Sequence, residues 1–185
     1  RMRFSSCCLS LLAIASTTLT TFTTADLTAA VFSNVAFAPA SAAKLYTVPS
    51  ASLTGLPNQP LPDFSSVRFT GTITPAVSDT AFNFTAISEG GVRLWVDDFL
   101  LIDAGYLHND SASALPRTSF QSISVIGQVP LAFKLEYSRF NTSSGGSPPS
   151  LTLYWQGNST AYAEVPASAY SPDASPAQAQ VAVLR

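Results

Sequence analysis

Between Val67 and Trp155 the chain repeatedly alternates apolar and polar residues with a period of two, and this commits most of that stretch to half-buried strands. Val67, Phe69 and Ile73 share one face, while Arg68, Thr70, Thr72 and Thr74 share the other. Phe82, Phe84 and Ala86 repeat the pattern with Asn83 outward. Val92, Leu94 and Val96 oppose Arg93 and Trp95, and Leu131, Phe133, Leu135 and Tyr137 oppose Ala132, Lys134 and Glu136. Leu151, Leu153 and Trp155 form one more inward face, so Trp155 is expected in the core. A period of two cannot satisfy a helix, and no segment carries helical periodicity.

Turn residues separate these runs. Glu89-Gly90-Gly91 turns the chain into the run from Val92, and Asp97-Asp98 is a tight turn into the apolar strand Phe99–Ile102, together predicting a hairpin. Asp26–Phe37 reads as a first strand, and a short one is expected around Ser122–Ile126. The Pro-, Ser- and Ala-rich stretch Ala38–Pro62, the polar stretch Asp103–Thr118 and the run Asn141–Ser150 read as loops. The fold class that follows is all-β, an antiparallel β-sandwich of seven to nine strands over residues 26–170. An Ala/Pro/Gln-rich tail or linker, 171–185, follows it.

Residues 1–25 admit two readings. Met2-Arg3, the apolar run Leu9–Ala15 and small residues at Thr23 and Ala25 resemble a cleavable secretory leader. The run is too short and polar to span a membrane. Alternatively the segment is retained: Thr17–Thr24, with Leu19 and Phe22, favours an extended strand, and an extended arm outside the domain needs a sheet edge, such as that of a neighbouring copy. Cys7 and Cys8 are the only cysteines, and as neighbours they pair with each other only through a strained ring, leaving them free or bonded to another chain.

Composition points to an extracellular setting. Charged residues are 11% of the chain, against about 25% in an average soluble domain, so hydroxyls or attached sugars must keep the surface wet. Four of the six asparagines lie in Asn-x-Ser/Thr sequons, namely Asn83, Asn109, Asn141 and Asn158, which makes them candidate carriers of covalent N-glycans. A net charge of −2 without a basic run argues against a nucleic-acid partner.

Chemistry-bearing constellations are few. His108 is the only histidine and sits in a polar stretch with no second ligand or nucleophile motif nearby. There is no nucleophile elbow, phosphate loop or zinc-binding helix motif. Two glycosidase carboxyls must stand about 5–9.5 Å apart across a cleft, whereas Asp97 and Asp98 are adjacent in a turn. The expectation is a non-catalytic chain. Trp95, opposite Leu94 and Val96, is a candidate platform for a sugar ring, and Tyr106 and Tyr154 are candidate exposed aromatics. Asp97 and Asp98 are candidate calcium ligands, because paired carboxylates offer hard oxygen donors, although Asp is also simply a good turn residue. Asp103, Asn109 and Asp110 complete such a site only if their loop folds back.

Five segments, in this order, resemble the protective-antigen-type β-sandwich (the PA14 family) over about Asp26–Tyr170. They are Val67-Arg68-Phe69-Thr70-Gly71; Gly91-Val92-Arg93-Leu94-Trp95-Val96-Asp97-Asp98 with Leu101-Ile102-Asp103; Lys134-Leu135-Glu136-Tyr137; Leu151-Thr152-Leu153-Tyr154-Trp155; and Glu164-Val165-Pro166. The first strand lacks the family's leading Gly and paired Tyr, and Phe69 stands where Trp is common. The resemblance implies a non-enzymatic module, often carbohydrate-binding, and calcium-dependent adhesins of the family use an Asp pair with a loop Asn. The sequence reading is thus an extracellular, glycosylated structural subunit that polymerises with its own copies through its N-terminal strand. The alternative is a carbohydrate-binding or adhesion module, calcium-dependent or part of a larger secreted protein.

Overall fold

The computed structural model of the chain describes residues 26–37, 43–57, 61–105, 115–140 and 149–172. Residues 1–25, with Cys7 and Cys8, and 173–185 lie outside them, as do Tyr106, His108, Asn109, Asp110 and Asn141.

Among the described residues, twelve strands form two antiparallel sheets. In chain order they are β1 Leu27–Phe32, β2 Lys44–Val48, β3 Ser66–Ile73, β4 Asp79–Ser88, β5 Gly91–Val96, β6 Phe99–Ala104, β7 Leu115–Thr118, β8 Ile123–Val125, β9 Leu131–Ser138, β10 Leu151–Gln156, β11 Ala163–Glu164 and β12 Tyr170–Ser171. One sheet runs β2-β1-β3-β9-β5-β6, with β12 paired to β3; the other runs β11-β10-β4-β7, with β8 paired to β4. Two short 3₁₀ turns, Leu53–Gly55 and Ala167–Ala169, are the only helical elements among the described residues.

The alternation read from sequence is what closes the sandwich. Phe69, Leu94, Leu135 and Ile102 from the larger sheet meet Phe82, Phe84, Ala86, Leu153 and Trp155 from the smaller, all buried in one core. Phe82 packs edge-to-face on both Phe84 and Trp155, at 5.5 and 5.4 Å between centroids, a geometry that aromatic pairs favour.

Several sequence expectations are corrected. The first strand stops at Phe32, and residues 33–36 bend away. The stretch read as loop from Ala38 contains β2, an edge strand whose weak alternation is imposed by pairing with β1. The stretch read as loop to Thr118 ends in β7, whose Pro116 is tolerated because β7 lies at the end of its sheet's order. These additions and the two-residue β11 and β12 carry the strand total past the expected seven to nine, and β12 ties Ser171, assigned to the tail, into the larger sheet. Finally, Glu136 belongs to an outward series yet is buried, because Arg68 lies directly across from it and takes its charge.

One buried acid locks a loop to the core. Asp79 opens β4 and accepts hydrogen bonds from the backbone N–H of Ser159 at 2.8 Å and of Ala81 at 3.0 Å. Those amide donors, Ser159 foremost, hold its carboxyl below the ordinary carboxylate range. A depressed native pKa contributes stability that is fully present above the unfolded value of about 3.9 and is lost as pH falls through the native value. Melting temperature is therefore expected to drop on acidification below about pH 4 more steeply in the wild type than in Asp79→Asn, which retains an acceptor oxygen but cannot titrate. Equal slopes in a pH series of thermal melts would contradict this role.

Candidate functional site

The outer face of the larger sheet carries two rows of outward side chains. Cross-strand registers place Arg68, Glu136, Arg93 and Asp103 side by side over β3, β9, β5 and β6. Arg68 Nη2 lies 2.8 Å from Glu136 Oε1, and Arg93 Nε lies 2.8 Å from Asp103 Oδ1. The guanidinium of Arg68 also sits over the rings of Phe32 and Phe37, at 5.5 and 5.3 Å, where the negative ring faces attract it. The chain of opposite charges is self-neutralising, so this row is a brace between strands.

The second row is Thr70, Lys134 and Trp95 on β3, β9 and β5. Trp95 is half-buried, and the Lys134 ammonium lies 3.9 Å from its ring centroid. Two residues before Lys134 on β9 the outward position is Ala132, whose small side chain leaves a depression of about 170 Å³. Thr70, Gly71, Trp95, Asp98 and Lys134 border it. It offers a hydroxyl, a carboxylate, an ammonium and an indole around a space the size of one small ring.

Local sequence explains how Trp95 and Asp98 reach this place. Pairing of β5 with β6 shifts register between Leu94 and Trp95, whose partners are Ile102 and Leu100, so β6 contains a bulge at Leu101. The bulge lets the consecutive residues Leu101 and Ile102 both enter the core, which a regular strand forbids. The hairpin then closes at Asp97 and Asp98, both left-handed with φ of 50° and 64°. Positive φ at both central positions is the type I′ pattern, and Asp tolerates it better than most residues. Asp97 N–H donates to Ala132 O at 2.7 Å, which pins the turn over the depression.

Of the residues marked from sequence, Trp95 and Asp98 thus come together. Asp97 instead borders a neighbouring groove with Phe99, Gln121, Ile123 and Leu131. The adjacent Asp pair is accounted for by turn geometry, and no group of three His, Cys, Asp or Glu side chains suited to a metal is found among the described residues. Calcium takes six to eight oxygens, and the Asn109 and Asp110 expected to help lie outside the described residues. Sequence reasoning left Lys134 and Thr70 without a role; only cross-strand register brings them to Trp95. Of the sequons, Asn158 is exposed in the turn after β10, and Asn83 is half-buried on the outer face of β4. Thr85, the hydroxyl residue of the Asn83 sequon, is buried against Thr118.

No helix among the described residues is long and apolar enough to cross a membrane. A 50-residue stretch is 48% identical to the anti-sigma-I factor RsgI3 of Acetivibrio thermocellus, covering 26% of this chain and 8% of that protein. Among solved structures, an anti-sigma factor domain-containing protein superposes with a TM-score of 0.65 at 26% identity, over 83% of this chain and 49% of that one. A second, from Clostridium clariflavum, gives 0.62 at 23% identity, over 80% and 47%. The chain therefore spans about half the length of these two solved relatives, and far less of the curated one. The PA14 domain profile matches residues 35–169, which include the smaller sheet, the larger sheet apart from β1 and β12, and the depression beside Trp95. The chain belongs to the PA14 domain family.

Proposed function

We infer that this chain is a non-catalytic, extracellular carbohydrate-binding or adhesion module that takes one pyranose ring in the depression over Ala132. The observation that carries the reading is the grouping of Trp95, Lys134, Thr70 and Asp98 around that hollow, on a sheet face where alternation would otherwise leave scattered polar residues. An indole presents an apolar surface to the C–H face of a sugar once the Lys134 ammonium, 3.9 Å over its ring, swings aside, and hydroxyl, carboxylate and ammonium groups then satisfy the sugar's hydroxyls. The sequons at Asn83, Asn109, Asn141 and Asn158 support the extracellular placement.

A glycan array probed with the full chain, with calcium and with chelator, tests this and separates a calcium-assisted site from a metal-free one. Trp95→Ala is expected to weaken the best binder at least about tenfold, equivalent to about 1.4 kcal/mol. Asp98→Asn, which keeps a residue tolerant of the left-handed turn, is expected to weaken it as well. Binding of no glycan in either condition, or unchanged affinity in Trp95→Ala, removes the reading.

Self-assembly into a fibre is the second reading. It is favoured by β2, which ends its sheet's strand order and exposes Leu45 to 68%. Such an edge can accept an extended segment like Thr17–Thr24 from another copy. Light scattering of the chain with and without residues 1–25 reads it: a monomer in both cases rules it out.

A further inference from the structure

The opposite sheet carries an aromatic feature that the sugar depression does not use. Tyr154, outward on β10, stacks on Tyr162, with ring centroids 5.0 Å apart and planes within 2° of parallel. Tyr162 is 49% exposed, and neither ring belongs to the core cluster. A parallel pair at that separation is an offset stack, so Tyr162 is held in place by Tyr154 while keeping an open face. Its position follows from the turn after β10, which Gly157 N–H closes by donating to Thr160 O at 2.9 Å. Tyr162 then immediately precedes Ala163, the partner of Trp155.

On the other side of β10 lies β4, whose outward residues are Asn83 and Thr85. Register pairs Gln156 with Asn83 and Tyr154 with Thr85. Asn83 is therefore the diagonal neighbour of Tyr154 on one sheet face, and diagonal pairs lie about 7–8 Å apart, within reach of a long group. Asn83 is also the acceptor residue of the sequon Asn83-Phe84-Thr85. Strands are spaced about 4.8 Å apart, so the outer edge at Tyr162, two strands from Asn83, is about 10 Å away. Two linked pyranose rings span that distance.

We propose that the Tyr154–Tyr162 stack is the seat of the chain's own N-linked sugar, with a pyranose ring of the Asn83 glycan lying across Gln156 onto the tyrosine rings. Near the rings Thr118, Thr152 and Gln156 offer hydroxyl and amide groups, and the only charged residue paired with β10 among the described residues is Glu164, directly across from Tyr154. That composition suits a neutral N-acetylhexosamine. The glycan becomes a structural element that covers the β4–β10 face. This assignment is independent of the sugar depression beside Trp95, which lies on the other sheet.

The full chain is secreted from a glycosylating eukaryotic host and, separately, made without glycans in bacteria. Peptide mass spectrometry reads occupancy at Asn83, and thermal melts compare wild type, Asn83→Gln, Tyr162→Ala and the double variant. Asn83 is expected to be occupied. Tyr162→Ala should lower Tm in the glycosylated chain and leave it nearly unchanged in the bare one, and the double variant should lose no more than the larger single loss. Sugar protons of the wild-type glycan should also be shifted upfield by the tyrosine ring currents, a readout that needs no variant to fold. An unoccupied Asn83, equal Tm losses with and without glycan, or sugar protons at their free-chain shifts overturns the proposal. Chitobiose binding to the bare chain that vanishes in Tyr162→Ala, with no stabilisation by the attached glycan, would assign the platform to an outside ligand and overturn it too.

Discussion

Phe84→Ala is expected to destabilise the fold by about 3–5 kcal/mol, the range for deleting a large buried aromatic. Phe84 is fully buried at the centre of β4, packs edge-to-face against Phe82, and stands directly across from Trp155. Alanine there removes the ring's burial and leaves a void between the sheets that stiff strands fill poorly, since their positions are set by backbone pairing on both sides. Domains of this size hold about 5–15 kcal/mol in total, so the loss is a large fraction of the margin. Urea unfolding should show a much lower midpoint with little change in slope. A loss below about 1 kcal/mol would mean that the core does not close on this aromatic group.

The second large effect concerns the charged row on the outer face. Arg68→Ala is expected to cost about 2–3 kcal/mol, less than for a fully buried pair because the arginine side chain is 34% exposed. The cost arises on the partner. Glu136 is buried, and without the guanidinium its carboxylate loses its ion-pair partner, while Arg93, its cross-strand neighbour on β5, is engaged by Asp103. Arg68→Met isolates the charge, since the methionine stem can still pack on Phe32 and Phe37. It should cost nearly as much as alanine. The double variant Arg68→Met, Glu136→Leu should recover most of the loss, because an apolar pair in the same place needs no compensation. Denaturant melts of the three variants check this. If the double variant is less stable than Arg68→Met alone, the ion pair itself is stabilising and the explanation fails.

How much of this was legible in the sequence follows from how local each cause is. β3, β4, β5, β9 and β10 announce themselves because each buries one face, and burial writes a period of two into the chain. β2 and β7 do not: they are edge strands held by pairing with β1 and β4, and Lys44-Leu45-Tyr46-Thr47 or a strand containing Pro116 carries little face contrast. Glu136 was readable as outward but not as buried, since its burial depends on Arg68, which is distant in sequence and adjacent only through register. The site divides in the same way. Trp95 and Asp98 sit within one hairpin and could be marked together, whereas Thr70 and Lys134 join them from two other strands. The Tyr154–Tyr162 stack escaped for a related reason: Tyr154 could be marked as an outward aromatic, but nothing local says that the turn at 157–160 folds Tyr162 back onto it.

Binding of a sugar in the hollow over Ala132 on the larger sheet is read by ¹⁵N-resolved NMR of the chain titrated with the glycan that binds best on the array. The predicted result is saturable shifts concentrated at Thr70, Asp98, Ala132, Lys134 and the Trp95 indole N–H, all lost in Trp95→Ala while the rest of the spectrum stays folded. Shifts confined to other surfaces, or a spectrum that no glycan moves, would contradict it.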